Sequence, residues 1–168
     1  MDRNMNKQDL VITRVFDIPA ELVWKAWTDP KLMVLWWGPA HFTSPRCEID
    51  LREGGKYLFC MRAPEEQGGI ELYSAGVYTK IIPLKHLEFT QSMADKDGNI
   101  IDPSEAGFPD YPKEIKFEVE FEAKDCQTVL TIREYGWTIG KMADLAALGM
   151  NQSLDKLRSK VDTGTLYC

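Results

Sequence analysis

Apolar and charged residues alternate over residues 114–123, and this pattern constrains the fold more than any other stretch of the chain. Ile115, Phe117, Val119 and Phe121 share one parity, and lysine and glutamate residues occupy the positions between them. Successive side chains of a strand point to opposite faces of its sheet, so one face here is apolar and the other meets water. The stretch therefore predicts an antiparallel strand whose apolar face needs a cover.

Six further stretches carry strand patterns, and a long amphipathic helix is predicted over residues 140–161. The strands are predicted at 10–17, 47–52, 56–62, 70–82, 86–93 and 127–135. The helix places an apolar stripe on one side, and it is the long element available to cover the sheet. We predict an α+β fold in which a curved antiparallel sheet of about seven strands wraps around the C-terminal helix.

Residues 14–39, RVFDIPAELVWKAWTDPKLMVLWWGP, predict a strand followed by two short helices. Pro19 suits the first turn of a helix, because its missing N–H would be unpaired there in any case. Pro30 restarts a second short helix, which ends before Gly38. These signals predict two short helices after the first strand. We expect the sheet to bury the tryptophans of this segment.

The least regular stretch is residues 94–113, which contain three prolines and two glycines. A loop of that length is unusual in a compact domain and often serves as a lid or binding loop. Local disorder is the alternative, and the residues do not decide between the two. We expect a disordered end at residues 1–9, one domain at 10–162 and a tail at 163–168.

Composition and charge limit the kinds of partner that we expect for this protein. The formal net charge is −6 without a clustered basic run, so we expect no nucleic-acid partner. No apolar window approaches the length that spans a bilayer, and the polar N-terminus is no secretory signal, so we expect a cytoplasmic protein without membrane insertion. The oligomeric state stays open.

No pattern in the chain predicts a catalytic centre. The four cysteines form no C-x-x-C pair, and only two histidines, His41 and His86, are present. Exposed histidines are expected at both positions, and no metal-ligand spacing or nucleophile motif occurs. We expect no metal, no cofactor and no catalytic residue.

Several motifs resemble those of the START-like (SRPBCC, Bet v 1-like) superfamily, and within it the stand-alone relatives of the Hsp90 ATPase activator C-terminal domain. The motifs are FDIPAELVWKAWTDP at 16–30, WWGP at 36–39, DLREGG at 50–55, Gly76 with Ile81-Ile82-Pro83, and Ser153-Leu154-Asp155-Lys156-Leu157. The resemblance covers about residues 10–160. It implies a helix-grip fold whose sheet and helix enclose an apolar cavity.

The resemblance also implies a function for the cavity. We expect a carrier or sensor of a small hydrophobic molecule, lipid- or polyketide-like, rather than an enzyme. One alternative is a cyclase or hydrolase acting on an aromatic or polyketide-like substrate, and a second is a chaperone- or stress-related interaction module. The co-chaperone has a separate N-terminal domain that this sequence does not show, so we do not expect Hsp90 as a partner.

A ligand would meet side chains that point inward from the sheet and the last helix. The candidates are Trp37, Phe59, Tyr73, Phe89, Gln91, Phe117, Phe121, Met142, Leu145, Met150 and Ser153. Cavities of this kind are mostly apolar with a few polar anchors, and Tyr73, Gln91 and Ser153 are the candidate anchors. The same residues could instead fill a solid core. Where the family often has Gly-Trp on this helix, the chain has Gly149-Met150, which changes the cavity wall.

Overall fold

The computed structural model describes residues 6–161. The predicted tail at 163–168 and the first five residues of the predicted N-terminal end therefore lie outside the described residues. The end does not extend through residues 7–9 as expected, because the first strand begins at Lys7. Lys7 and Gln8 pair with Thr138 and Trp137 of the last strand, and this pairing orders them.

Within residues 6–161, seven strands and three α-helices follow one another in the predicted order. They are β1 Lys7–Phe16, α1 Ala20–Thr28, α2 Pro30–Met33, β2 Cys47–Ile49, β3 Lys56–Arg62, β4 Glu71–Ile82, β5 His86–Ala94, β6 Ile115–Lys124, β7 Gln127–Thr138 and α3 Lys141–Val161. The predicted strand at 47–52 is shorter than expected, and β7 runs three residues beyond its predicted end.

The strands form one antiparallel sheet in the order β1-β7-β6-β5-β4-β3-β2. Its inner face is apolar, with Phe117 and Val119 of β6 almost completely buried. Leu154 and Leu157 of α3 belong to the same core, so the helix covers this face. The predicted α+β helix-grip architecture is confirmed.

The two short helices close one end of the sheet. Asp29 ends α1 and accepts a hydrogen bond from the Lys31 backbone N–H at 2.9 Å, which caps α2. Trp36 is fully buried and donates its indole N–H to the Ala26 carbonyl at 2.9 Å. Trp27 packs against the Trp36 ring at 4.9 Å, so both tryptophans serve as core residues of this end.

Within residues 6–161, no helix has the length and apolar character needed to cross a bilayer. The same residues contain no group of three or more His, Cys, Asp or Glu side chains arranged to hold a metal ion.

Candidate functional site

A cavity of about 510 Å³ lies between the inner face of the sheet and the N-terminal half of α3. Strands β3 to β7 supply its floor, and residues 37–42, which follow α2, form one side. The loop between β5 and β6 contributes Phe108 and Tyr111. The cavity is therefore built by segments distant in sequence that the sheet brings together.

The segment after α2 is fastened to α3 at the edge of the cavity. A Cβ on Gly149 would stand 3.3 Å from the Pro39 ring, so the missing side chain permits this close approach. The Ala40 backbone N–H donates to Gln152 at 3.0 Å, and the Lys156 ammonium donates to the Phe42 carbonyl at 3.1 Å. These contacts fix the position of the wall.

The cavity opens to solvent beside α3. Leu145 and Leu148 both line it and yet are 45% and 53% exposed. Exposed leucines at the rim of an apolar cavity give an entering molecule an apolar path.

A β-bulge near the end of β7 directs two side chains towards the cavity. Leu10 of β1 pairs with Glu134 and Gln8 pairs with Trp137, so β7 has one residue more than β1 between these pairs. Gly136 sits in the extra length with φ +98°, a conformation that favours glycine. Glu134 and Trp137, three residues apart, consequently both face the cavity.

Glu134 is the one Asp, Glu, Lys, Arg or His side chain among the described residues that line the cavity. It is 2% exposed, and its Oε1 accepts the Trp137 indole N–H at 3.0 Å. Its Oε2 has no hydrogen-bond partner. Burial raises the pKa of Glu134 from 4.5 to about 7, against the smaller lowering effect of the Trp137 hydrogen bond.

Gln91 and Tyr111 complete a polar corner beside Glu134. Gln91 is buried, and its Nε2 donates to the Tyr111 hydroxyl at 3.2 Å, while its Oε1 has no partner. The Tyr111 ring meets the Trp137 ring edge-on at 5.1 Å. Burial raises the pKa of Tyr111 to about 12, so its hydroxyl keeps its proton at neutral pH. The corner thus presents two acceptors without hydrogen-bond partners and one hydroxyl to the cavity.

Seven of the predicted site residues bring their side chains to the cavity region. They are Trp37, Gln91, Phe117, Met142, Leu145, Met150 and Ser153. The Ser153 hydroxyl donates to the Gly149 carbonyl of its own helix at 2.8 Å, so its proton is already used. Gln91 is the predicted anchor that keeps an unpaired polar atom.

Tyr73 borders the cavity, but its ring packs on the other face of the sheet. It lies against the small cluster formed by Leu58, Ala75 and Ala94. The strand register explains this placement, because Tyr73 pairs with Ala94 and alternates with Ser74, which lines the cavity. The Tyr73 hydroxyl is therefore not a cavity anchor.

Three predicted aromatic residues fill the core instead of lining the cavity. Phe59 packs on Trp37 at 4.9 Å, and Phe121 meets Trp24 of α1 at 5.1 Å. Phe89 stacks on Phe117 at 4.9 Å. All three point to the inner face as predicted, but they lie behind the cavity or under the short helices.

Several residues that shape the cavity were not predicted from the sequence. Glu134 continues the parity of the buried Leu130 and Ile132, so alternation alone could have identified it. Trp137 follows the bulge, where the parity breaks, and Tyr111 lies in a loop without a period. His41 is exposed, and His86 lies 3.6 Å from Glu88, so neither belongs to the cavity.

A comparison with protein families gives one match that spans most of the chain. A family model described as activator of Hsp90 ATPase homolog 1-like protein matches residues 17–162. No curated protein is similar to the chain at a significant level.

Solved structures share the fold at low sequence identity. A protein from Nitrosomonas europaea is 22% identical, with a TM-score of 0.75 and coverage of 99% of this chain and 100% of that one. A protein from Arthrobacter aurescens is 23% identical, with a TM-score of 0.75 and coverage of 95% and 89%. A protein from Silicibacter pomeroyi, described as AHSA1, is 20% identical, with a TM-score of 0.68 and coverage of 94% and 100%.

Proposed function

The chain belongs to the activator of Hsp90 ATPase homolog 1-like family, and from this premise we propose that it binds a small hydrophobic molecule, lipid- or polyketide-like, as a carrier or sensor. The binding site is the cavity beneath α3. The observation that carries the proposal is a cavity of about 510 Å³ with a largely apolar lining between the sheet and α3.

The size and lining of this cavity suit a small molecule. Sites for small molecules are usually concave, mostly apolar and roughly 300–1,000 Å³ in volume. Met142, Met150 and Phe117 give the cavity that character, and Leu145 and Leu148 give it an apolar entrance.

A titration with the neutral dye Nile red tests the proposal. We expect fluorescence enhancement that saturates with the wild type and is strongly reduced in Ala146→Trp, because Ala146 lines the cavity and a tryptophan there fills it. The matched control is Ala147→Trp, the same substitution at the next residue, which does not line the cavity. Equal binding by both variants, with native circular dichroism, would contradict the proposal.

A second candidate function is acid–base catalysis on an aromatic or polyketide-like ketone. It is supported by Glu134, whose pKa of about 7 suits proton transfer near neutral pH. Glu134 would take a proton from the carbon next to a carbonyl, Tyr111 would donate a hydrogen bond to the carbonyl oxygen, and a proton would then return to the same carbon.

Exchange with heavy water tests this second candidate. If it holds, phenylbutanone in D₂O gains deuterium next to its carbonyl in the presence of the wild type. Glu134→Gln should abolish that gain, whereas Glu122→Gln, which alters an exposed carboxylate of β6, should not. A rate equal to the protein-free background would exclude the candidate for this ketone class.

A further inference from the structure

Glu134 presents a buried acceptor that the described part of the chain leaves unsatisfied. A carboxylate has about four sites at which it can accept a hydrogen bond. Among the described residues one donor, Trp137 Nε1, reaches this group, on Oε1. Oε2 has no partner although the residue is 2% exposed. Buried polar groups are nearly always paired, so an orphan at a cavity wall indicates a missing donor.

No Lys, Arg or His among the described residues lines the cavity beside this carboxylate. On β1, where Leu10 pairs with Glu134, Lys7 donates to Thr138 and Arg14 binds Asp155. Arg133 of β7 binds Glu120, and Lys116 of β6 binds Glu88 and Glu118, on the outer face. Lys156 of α3 is engaged with the Phe42 carbonyl.

The remaining groups that face Glu134 from β5, β6 and the loop are Gln91, Phe117 and Tyr111, and from α3 the cavity receives Met142 and Met150. None of these side chains carries a positive charge at neutral pH. None of the described residues that line the cavity can therefore balance the charge of an ionised Glu134.

The surroundings of Glu134 also suit a positive charge. Tyr111 and Trp137 place aromatic rings beside the carboxyl group, and Phe117 pairs directly with Glu134 across the strands. A cation gains from the negative face of an aromatic ring, more so where water is excluded. The orphan Oε1 of Gln91 adds a second acceptor for an N–H group.

We propose that the molecule bound in the cavity is a lipophilic amine, whose ammonium group binds the Glu134 carboxylate while its apolar body lies beneath α3. This inference rests on the proposed binding function and narrows its ligand to one chemical class. A neutral alcohol would donate one hydrogen bond but leave the carboxylate without a counter-charge. A carboxylic acid would be repelled by it.

Three probes of similar shape separate these chemistries: phenylbutylamine, phenylbutanol and phenylbutanoic acid. Isothermal titration at about pH 8, where Glu134 is ionised and the amine is protonated, gives their affinities. We expect the wild type to bind the amine roughly 10- to 100-fold more tightly than the alcohol, as charge-assisted hydrogen bonds allow. The acid should bind most weakly.

Glu134→Gln should remove the preference for the amine over the alcohol, because the amide keeps an acceptor for both probes but carries no charge. The matched control is Glu122→Gln, which removes an outward-facing, exposed carboxylate of β6 and should keep the preference. In the wild type the amine affinity should fall as pH drops below the Glu134 pKa, because a protonated carboxyl loses the charge attraction, and it should level off near the affinity of the alcohol.

The outcomes distinguish this inference from the proposed function. Equal affinities for amine and alcohol, or a preference that survives Glu134→Gln, would overturn the amine inference while binding itself stands. If no probe binds, and Nile red binding is insensitive to Ala146→Trp, the proposed function fails with it.

Discussion

Trp137 donates its indole N–H to Glu134 across a one-residue bulge, at 3.0 Å from Nε1 to Oε1. The bulge turns both side chains inward, although a regular strand would send residues three positions apart to opposite faces. The bond satisfies the tryptophan and one carboxyl oxygen, and the second oxygen stays unpaired. The protein therefore keeps a carboxyl group in an apolar wall with a single partner.

The first prediction concerns stability against pH. The pKa of Glu134 is 4.5 ordinarily and about 7 in the fold, so between these values the folded state binds a proton that the unfolded state lacks. The contribution of this group to the free energy of unfolding must then fall as pH rises through that window, by on the order of 3 kcal/mol, and stay constant above it. Urea unfolding at several pH values measures this fall in the free energy of unfolding.

Glu134→Gln supplies the comparison for this first prediction. The amide does not titrate, so the variant should lack the fall and be more stable than the wild type above about pH 7. Glu122→Gln should keep the wild-type profile, because its carboxylate is exposed. Parallel profiles of wild type and Glu134→Gln would contradict the assignment.

The second prediction concerns the tryptophan donor. Trp137→Phe removes the N–H that lowers the pKa of Glu134, so that pKa should rise further. The variant should lose up to about 1.4 kcal/mol more stability at pH 8 than at pH 5, because at pH 8 the wild-type carboxylate is ionised and held by the donor, whereas the variant must keep the proton or ionise without it. Phenylalanine also has a smaller ring, which weakens packing by the same amount at both pH values. The difference between the two pH values therefore isolates the effect of the hydrogen bond. An equal loss at both would show that the hydrogen bond does not matter.

Most of the fold could be predicted because its strands follow simple periods. Residues 115–121 alternate, and the strand that contains them lies where the alternation places it. Pro19 and Asp29 mark helix boundaries through local chemistry that needs no tertiary information. These signals depend on neighbours in sequence, and so they could be interpreted without a structure.

The candidate site was less predictable because its members are not related by a period. Parity correctly placed Phe59, Phe89 and Phe121 on the inner face, but it gives no position along the strand, and they lie outside the cavity. Tyr111 reaches the cavity from a loop, and Trp137 does so through a bulge. Both placements depend on backbone geometry that the hydrophobic pattern does not encode.

The third prediction concerns the bulge. Gly136→Ala should lower the free energy of unfolding by about 1–2 kcal/mol, because φ at this residue is +98° and an L side chain there is strained. A Cβ would meet nothing closer than the Glu114 carbonyl oxygen at 3.9 Å, so crowding adds nothing to the cost. Gly136→Asn is the matched comparison, since asparagine tolerates positive φ better, and it should cost less. Equal losses would point to a cause other than backbone strain.

The fourth prediction concerns the contact that fixes the cavity wall to α3. Gly149→Val adds a branched side chain where a Cβ alone would stand 3.3 Å from the Pro39 ring, so we expect a loss of roughly 1–3 kcal/mol. Helix propensity alone predicts the opposite sign, because valine is a better helix former than glycine. Thermal unfolding of the two single variants and the Gly149→Val/Pro39→Ala double variant measures the coupling between the two residues. We expect Pro39→Ala to relieve about 0.5–3 kcal/mol of the cost of Gly149→Val.

Ala147→Val is the matched control for this contact, since the same side chain enters the same helix two positions earlier. It should cost about 0.5 kcal/mol through helix propensity alone. It should also show no coupling to Pro39→Ala. If Gly149→Val were no more destabilising than this control, the wall would not depend on close approach at Gly149. Because Pro39 and Gly149 both line the cavity, a real clash should also reduce Nile red binding, which links the stability measurement to the proposed site.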